Sequence, residues 1–187
     1  MKKKALFLDR DGVINHDFGY VHDKENFKFV EGIFEVVSAA ISVGFKIFVV
    51  TNQAGIARGY YDEAQFEKLT SWMVEEFKNK GCLIDKVYHS PYHPSEGIGI
   101  YRKDHYSRKP NPGMIFRARD DFDIDLARSV IIGDNETDVI AGIRAGVGKL
   151  ILMSQTTISP EHASLLKDCI VISRLHLAKA IILEGIE

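Results

Sequence analysis

Cysteine is scarce: Cys82 and Cys169 are the only two in 187 residues, and they lie in different segments without the spacing of a thiolate metal site. That excludes a disulfide-stapled scaffold and fits a cytosolic protein with reduced thiols. A surplus of charge is missing too. The 24 Lys and Arg nearly balance 26 Asp and Glu for a net charge of −2, so nothing draws the chain generally to nucleic acid or to an anionic membrane, and basic residues that matter must act locally. No apolar stretch is long enough to span a bilayer, and Lys2 to Lys4 run into a short strand without the features of a signal segment. Repeats, low-complexity tracts and interdomain linkers are also lacking. What is present is 45% hydrophobic content, enough at this length for one sizeable core. One domain over residues 1–187 is expected, a cytoplasmic monomer with a small-molecule partner.

The chain is organised around the run Lys4 to Val13, whose apolar part stops abruptly at Asp9, Arg10, Asp11 and Gly12. Such a run reads as a short buried strand ended by an Asp-Gly turn. Further strands are expected over Phe45–Val50, Leu83–Tyr88, Ser129–Ile132, Gly148–Met153 and Cys169–Ile172. Helical spacing marks Gly32–Val43, closed by Gly44, and Asp62–Lys80, capped by Asp62 with Phe66, Leu69, Met73 and Phe77 on one face. Helices also follow over Met114–Phe122, after Pro112, over the residues up to Ala145, and over Leu175–Leu183. Strands alternating with helices predict an α/β fold, a Rossmann-like three-layer arrangement with a central parallel sheet. Two loops stand out, Asn15–Phe29 and the long His89–Ser107, and a loop of that length in a small domain is usually functional.

If the sheet is parallel, Asp9, Asp11, Thr51 and Asp134 all lie at its carboxyl edge, where ligands of such sheets bind, and Lys109 arrives there at the start of a helix. Alone, each residue has an ordinary reading as a turn, a strand end, a helix cap or a solvated lysine. Together they make a rim of carboxylates, a hydroxyl and a cation. Carboxylates so close need a neutralising cation, and hard oxygen ligands that leave room for water suit Mg²⁺. A phosphate would complete such a site, with Thr51 and Lys109 on its oxygens and an Asp carboxylate placed to attack phosphorus.

Four segments in this order, Leu8-Asp9-Arg10-Asp11-Gly12-Val13, Val50-Thr51-Asn52-Gln53, Arg108-Lys109-Pro110 and Gly133-Asp134-Asn135-Glu136-Thr137-Asp138, resemble the four motifs of the haloacid dehalogenase superfamily of phosphatases. More narrowly, Asp17 to His22, Thr51 to Gly59 and Arg108 to Met114 resemble the heptose bisphosphate phosphatases within it. The resemblance implies that Asp9 is the nucleophile and a Mg²⁺ ligand. Asp11 is implied as general acid and then base, giving its backbone carbonyl to the metal, and Asp134 as the remaining metal carboxylate. It further implies that Thr51 and Lys109 hold the transferring phosphoryl and that Asn52, Gln53 and Arg108 serve the substrate. Asp17, Gly19 and Tyr20 are read either as sugar contacts or as loop packing. Asp138 is left as an exposed helix residue or one that orients its neighbours. The implied reaction is hydrolysis of a sugar bisphosphate in heptose biosynthesis. Histidinol-phosphate phosphatase is the alternative among enzymes, and a catalytically silent phosphosugar-binding module the alternative of another class.

The sequence departs from that family in the long loop. Many members bind zinc there through Cys-x-His and Cys-x-Cys; here the stretches read Ser90-Pro91-Tyr92-His93 and His105-Tyr106-Ser107. Serine hydroxyls are poor zinc ligands, so structural zinc is not expected, although His89, His93 and His105 leave an all-histidine site open. Ile98, Ile100 and Tyr101 are expected to fasten the loop by packing instead. The interval from Asp9 to Thr51 holds one loop and one helix, and that from Thr51 to Lys109 a helix, a strand and the long loop. Neither leaves room for an inserted cap domain.

Overall fold

A computed structural model describes residues 2–154 and 158–184. Six strands form one parallel sheet in the order β3-β2-β1-β4-β5-β6: β1 Lys4–Leu8, β2 Phe45–Asn52, β3 Lys86–Ser90, β4 Val130–Gly133, β5 Lys149–Met153 and β6 Ile170–Ile172. Alternate residues of the central strands enter two cores. Leu6, Leu8, Ile47, Val49, Val130 and Ile132 face α1 (Ile33–Ser42), α3 (Glu63–Asn79) and α6 (Ala178–Leu183). Ala5, Phe7, Phe48, Val50 and Ile131 face α4 (Gly113–Phe122) and α5 (Glu136–Ala145). Burial on both faces is why these strands read as continuous apolar runs rather than alternating ones. The three-layer α/β expectation holds, and no cap domain interrupts the described residues.

The helix signals held where the chemistry was local. Asp62 caps α3 through a reciprocal pair: its side chain accepts from the Gln65 backbone N–H, and the Gln65 side chain accepts from the Asp62 N–H. Two elements differ from expectation. β3 begins at Lys86, not Leu83, because the Asp85 carboxylate accepts the Ile47 N–H and so takes the place of a ladder carbonyl. At its other end β3 follows β2 outward, pairing His89 with Thr51 and Ser90 with Asn52. A four-residue helix, α2 (Ala54–Ala57), has no apolar period to announce it.

In the long loop, Tyr101 packs against Ile56, Tyr61 and Phe66 and donates to Glu63, as expected of a fastener. Ile98 and Ile100 do not: they are 64% and 78% exposed, and the loop is tied there by the Ile98 N–H to the Ala57 carbonyl.

The strand order reverses between β1 and β4, and in such sheets the crevice outside that switch point receives the ligand. β1 delivers Asp9 and Asp11 to it, β4 delivers Asp134, and β2 borders it.

Candidate active site

At the carboxyl end of β1 the Asp9 N–H bonds to the Ile132 carbonyl of β4, which brings the two strand ends side by side. The loop after Asp11 then passes so close to Asp134 that a Cβ on Gly12 would lie 1.9 Å from its Oδ2. Gly12 also has a φ of +84°, a region costly for any residue with a side chain. On β4, a Cβ at Gly133 would lie 2.2 Å from that of Asp138. Glycine at both positions lets Asp9, Asp134 and Asp138 gather until a ligand oxygen of each lies within 4.8 Å of the others.

Lys109 enters this cluster from the opposite loop. Its Nζ donates to Asp9 Oδ1 at 2.8 Å, Asp138 Oδ1 at 2.7 Å and the Val50 carbonyl at 2.8 Å, and the residue is only 3% exposed. Burial works against its charge, but Asp138 and Asp9 outweigh burial, so its proton is held more firmly than an ordinary lysine's. Asn52 fixes the backbone beneath it: its side-chain amide donates to the Lys109 carbonyl and its Oδ1 accepts the Lys109 N–H, both at 3.0 Å. Arg108 is anchored through Nη1 to the Tyr92 carbonyl at 2.9 Å.

Burial, opposed by Lys109 and reinforced by Asp138 and Asp11, pushes the Asp9 carboxyl upward. Burial followed by the Asp138 charge lifts Asp134 to about 7. Such carboxylates are short of positive charge. Three hard oxygen donors within 4.8 Å of one another, two of them, Asp9 and Asp134, pushed upward by burial and then by neighbouring carboxylates, fit a small divalent cation such as Mg²⁺.

Asp11 is held by other means. Arg10, 1% exposed, donates to both its carboxylate oxygens through Nε at 3.2 Å and Nη2 at 2.9 Å, and Nη2 also reaches the Val21 carbonyl at 2.6 Å. Asn15 and Gln53 each add a donor at 3.0 Å. Gln53 spans the floor: its Nε2 also donates to Thr51 Oγ1 at 2.8 Å, and its Oε1 accepts from the Tyr61 hydroxyl at 2.5 Å. Tyr61 is pushed up to about 12, chiefly by burial, so it remains a phenol and a donor.

A cavity of about 570 Å³ opens over this arrangement. Of the residues read from sequence, Asp9, Asp11, Asp17, Gly19, Tyr20, Asn52, Gln53, Arg108, Lys109 and Asp134 all line it. Thr51 does not line it and is 1% exposed beneath the floor. Asp17 and Gly19 also bond to each other, the Gly19 N–H donating to Asp17 Oδ1 at 2.8 Å, so lining and loop packing coexist there.

Asp138 is not the exposed helix residue it could have been: it is buried, with Oδ2 accepting the Asn135 N–H at 3.0 Å. The cap of α5 is Asn135, not Asp134. Among the residues at the site that the motifs did not single out are Arg10, Asn15, Arg58, Tyr61 and Asp138. A cation between the two carboxylates that end the first apolar run was the available signal for Arg10.

Each loop histidine has a partner of its own. His89 lies against Phe66, with ring centroids 4.3 Å apart. His93 Nδ1 accepts the Glu96 N–H at 3.0 Å, and His105 Nδ1 bonds Ser107 Oγ at 2.7 Å. Ser107 Oγ in turn donates to Ser90 Oγ at 3.0 Å, joining the two stretches of the loop directly.

Residues 106–171 match a family profile described as "HAD-hyrolase-like". The chain is 54% identical over 153 residues, 82% of its length and 81% of the relative's, to D-glycero-alpha-D-manno-heptose-1,7-bisphosphate 7-phosphatase of Burkholderia mallei. It is 49% identical over 153 residues, 82% of each chain, to D-glycero-beta-D-manno-heptose-1,7-bisphosphate 7-phosphatase of Vibrio cholerae. Among solved structures it is similar to D,D-heptose 1.7-bisphosphate phosphatase from B. bronchiseptica complexed with magnesium and phosphate, at a TM-score of 0.80 and 26% identity over 97% of this chain and 98% of that one. With the motifs on one rim, the fold matched along nearly its whole length and identities near one half, the chain belongs to the heptose-1,7-bisphosphate 7-phosphatase family of haloacid-dehalogenase-like hydrolases.

Proposed function

We propose that the protein is a Mg²⁺-dependent phosphatase that hydrolyses the C7 phosphate of D-glycero-D-manno-heptose 1,7-bisphosphate through an aspartyl phosphate, in the synthesis of nucleotide-activated heptose for lipopolysaccharide core or surface polysaccharide. The observation that carries this reading is the meeting of Asp9, Asp11, Asp134 and Lys109 in one cavity bordered by Asp17, Tyr20 and Arg108. A rim without a cap admits the narrow primary phosphate end of an extended sugar and leaves the ring near the surface.

In the first step an Asp9 carboxylate oxygen attacks phosphorus as the bond to the C7 oxygen breaks, and Asp11 passes its proton to that departing oxygen. In the second, Asp11 takes a proton from water as the water oxygen attacks phosphorus. Inorganic phosphate leaves and the Asp9 carboxylate is restored. Arg10, Asn15 and Gln53 aim the Asp11 carboxylate throughout. Lys109 faces the phosphoryl oxygens with a charge fixed in advance, the kind of stabilisation this loose transition state needs most, and the Thr51 hydroxyl, buried beneath the floor, positions Gln53 by accepting from its side-chain amide. Asp9, Asp134 and the Asp11 backbone carbonyl would hold Mg²⁺, which supplies further neutralisation of phosphoryl charge when bound. Asp138 keeps Lys109 in place. Arg108 offers a planar fork to the rest of the substrate, a task for which Lys would be poorer.

Every group in this scheme comes from one chain, so a single domain acting as a monomer suffices. No described helix is long and apolar enough to cross a membrane, and with two unpaired cysteines this supports a cytoplasmic enzyme.

The test is phosphate release from the heptose bisphosphate with Mg²⁺, with the position of cleavage read by phosphorus NMR and histidinol phosphate as competitor. Phosphate should come from C7, and Asp9→Asn and Asp11→Asn should each abolish turnover in a folded protein. Cleavage at C1, higher catalytic efficiency on histidinol phosphate, or near-normal turnover by Asp9→Asn would overturn the reading.

A further inference from the structure

Gln53 is buried and bonds through both polar atoms of its side chain. The amide nitrogen donates to Asp11 Oδ2 at 3.0 Å and to Thr51 Oγ1 at 2.8 Å, and the oxygen accepts from the Tyr61 hydroxyl at 2.5 Å. Turning the amide over would set its oxygen against the Asp11 carboxylate, lone pair against lone pair, so what Gln53 does for Asp11 depends on which end is which. The Tyr61 hydroxyl decides it. Burial keeps that group a phenol, so its proton is held ready for an acceptor, and the acceptor end of Gln53 is drawn away from Asp11.

Tyr61 lies beyond the motif segments, four residues past the end of α2, and its place is set from three sides. Its ring packs with Ile56 and Phe66 in a small core cluster. His22 stacks on it, with ring centroids 5.1 Å apart and planes 11° from parallel. Gly55 leaves it room, since a Cβ there would lie 2.1 Å from Tyr61 Cε1. Phe would fill the same space and make the same stack. What the hydroxyl adds is one donor aimed at Gln53, the polar handle that a buried tyrosine carries and a phenylalanine lacks.

We propose that Tyr61 is a positioning residue for the general acid: its hydroxyl fixes the Gln53 amide, and that amide fixes the plane of the Asp11 carboxyl group and with it the direction in which the proton is offered to the departing C7 oxygen. This rests on the phosphatase reading with Asp11 as its acid and deepens it, because it assigns the aim of the acid to a residue outside the motifs. Arg10 and Asn15 hold the same carboxyl group, so losing the Tyr61 hydroxyl loosens its aim without releasing it.

The experiment measures kcat/KM, which covers the steps up to phosphoryl transfer to Asp9, for the heptose 1,7-bisphosphate and for p-nitrophenyl phosphate in the wild type and in Tyr61→Phe. The sugar oxygen needs a proton as it leaves, whereas p-nitrophenolate departs as the anion. Tyr61→Phe should lower kcat/KM by about 10-fold on the bisphosphate and by less than about threefold on the aryl phosphate, in a protein with the circular dichroism of the wild type. Gly55→Ala, which displaces the ring but keeps the hydroxyl, should show the same bias against the sugar substrate. In a Gln53→Met background, Tyr61→Phe should cost less than about twofold on the bisphosphate, because the path through the amide is already cut. Equal losses on the two substrates, no loss on the bisphosphate, or the full loss repeated in the Gln53→Met background would overturn the positioning role, while wild-type turnover of the bisphosphate leaves the phosphatase reading standing. A wild type that releases no phosphate from the bisphosphate overturns both.

Discussion

Asp138 takes its meaning from its neighbours. Four residues after Asp134, it reads in sequence as one more polar position on a helix, whereas in the fold the capping pair with Asn135 turns it inward against Lys109. Asp9, Asp11 and Asp134 were legible because each ends an apolar run at a point where a parallel sheet exposes its strand ends. Asp138 and Arg10 were not, since what they touch is set by residues far along the chain or by a loop without periodicity. Breaking one partner of a buried ion pair is costly because the other charge is stranded. Asp138→Asn keeps the size and can keep the bond from the Asn135 N–H while removing the charge from Lys109. The expected result is a stability loss of about 3 kcal/mol in denaturant titration. kcat should fall by about 100-fold with KM nearly unchanged, since Lys109 is held to meet the phosphoryl charge of the transition state more than that of the bound substrate. Wild-type kcat in a folded variant would remove Asp138 from the positioning of Lys109.

Among the elements, the sheet and the long helices followed from local rules: apolar runs for the strands, caps and closing glycines for the helices. The discrepancies came from tertiary substitution. A side-chain carboxylate at Asp85 replaces a backbone partner and delays β3, and Ile98 and Ile100 remain exposed because backbone hydrogen bonding and Tyr101 already fasten their loop. The turn after β1 is the element on which the site depends most closely. Its Gly12 meets Asp134 so tightly that the two strand ends converge only if no side chain stands between them. Gly12→Ala should cost about 1–2 kcal/mol from the left-handed backbone alone. More tellingly, displacing Asp134 by about 1 Å should lower kcat/KM by roughly 100-fold. Folded protein with a thermal midpoint lowered by roughly 2–8 °C and that deficit is the expected outcome, and full activity would show that the approach of turn and carboxylate is unimportant.

On the scale of the whole molecule, the fold gathers like charges at the one place where its strand order reverses. A chain with a net charge of only −2 has gathered three carboxylates within 4.8 Å of one another and supplied one buried lysine from the protein to offset them. That imbalance should be visible in global stability. The folded Asp134 carboxyl, lifted by burial and then by Asp138, titrates at about 7 against an unfolded value of 3.8, and Asp9 is displaced in the same direction. A raised carboxyl binds its proton more tightly in the folded state, so its contribution is fully present below the unfolded value and is lost as pH rises through the folded one. The metal-free protein should therefore lose thermal stability progressively between about pH 4 and pH 7, the reverse of the usual behaviour of salt-bridged carboxylates. Mg²⁺ binds the ionised form and competes with the protons, so its stabilising effect should grow over the same interval and flatten the decline. Thermal midpoints at fixed ionic strength, with chelator and with saturating Mg²⁺, measure both curves. Chelated protein whose midpoint rises from pH 5 to pH 7, or a Mg²⁺ increment independent of pH, would show that the acidic cluster is not the strained centre of the fold.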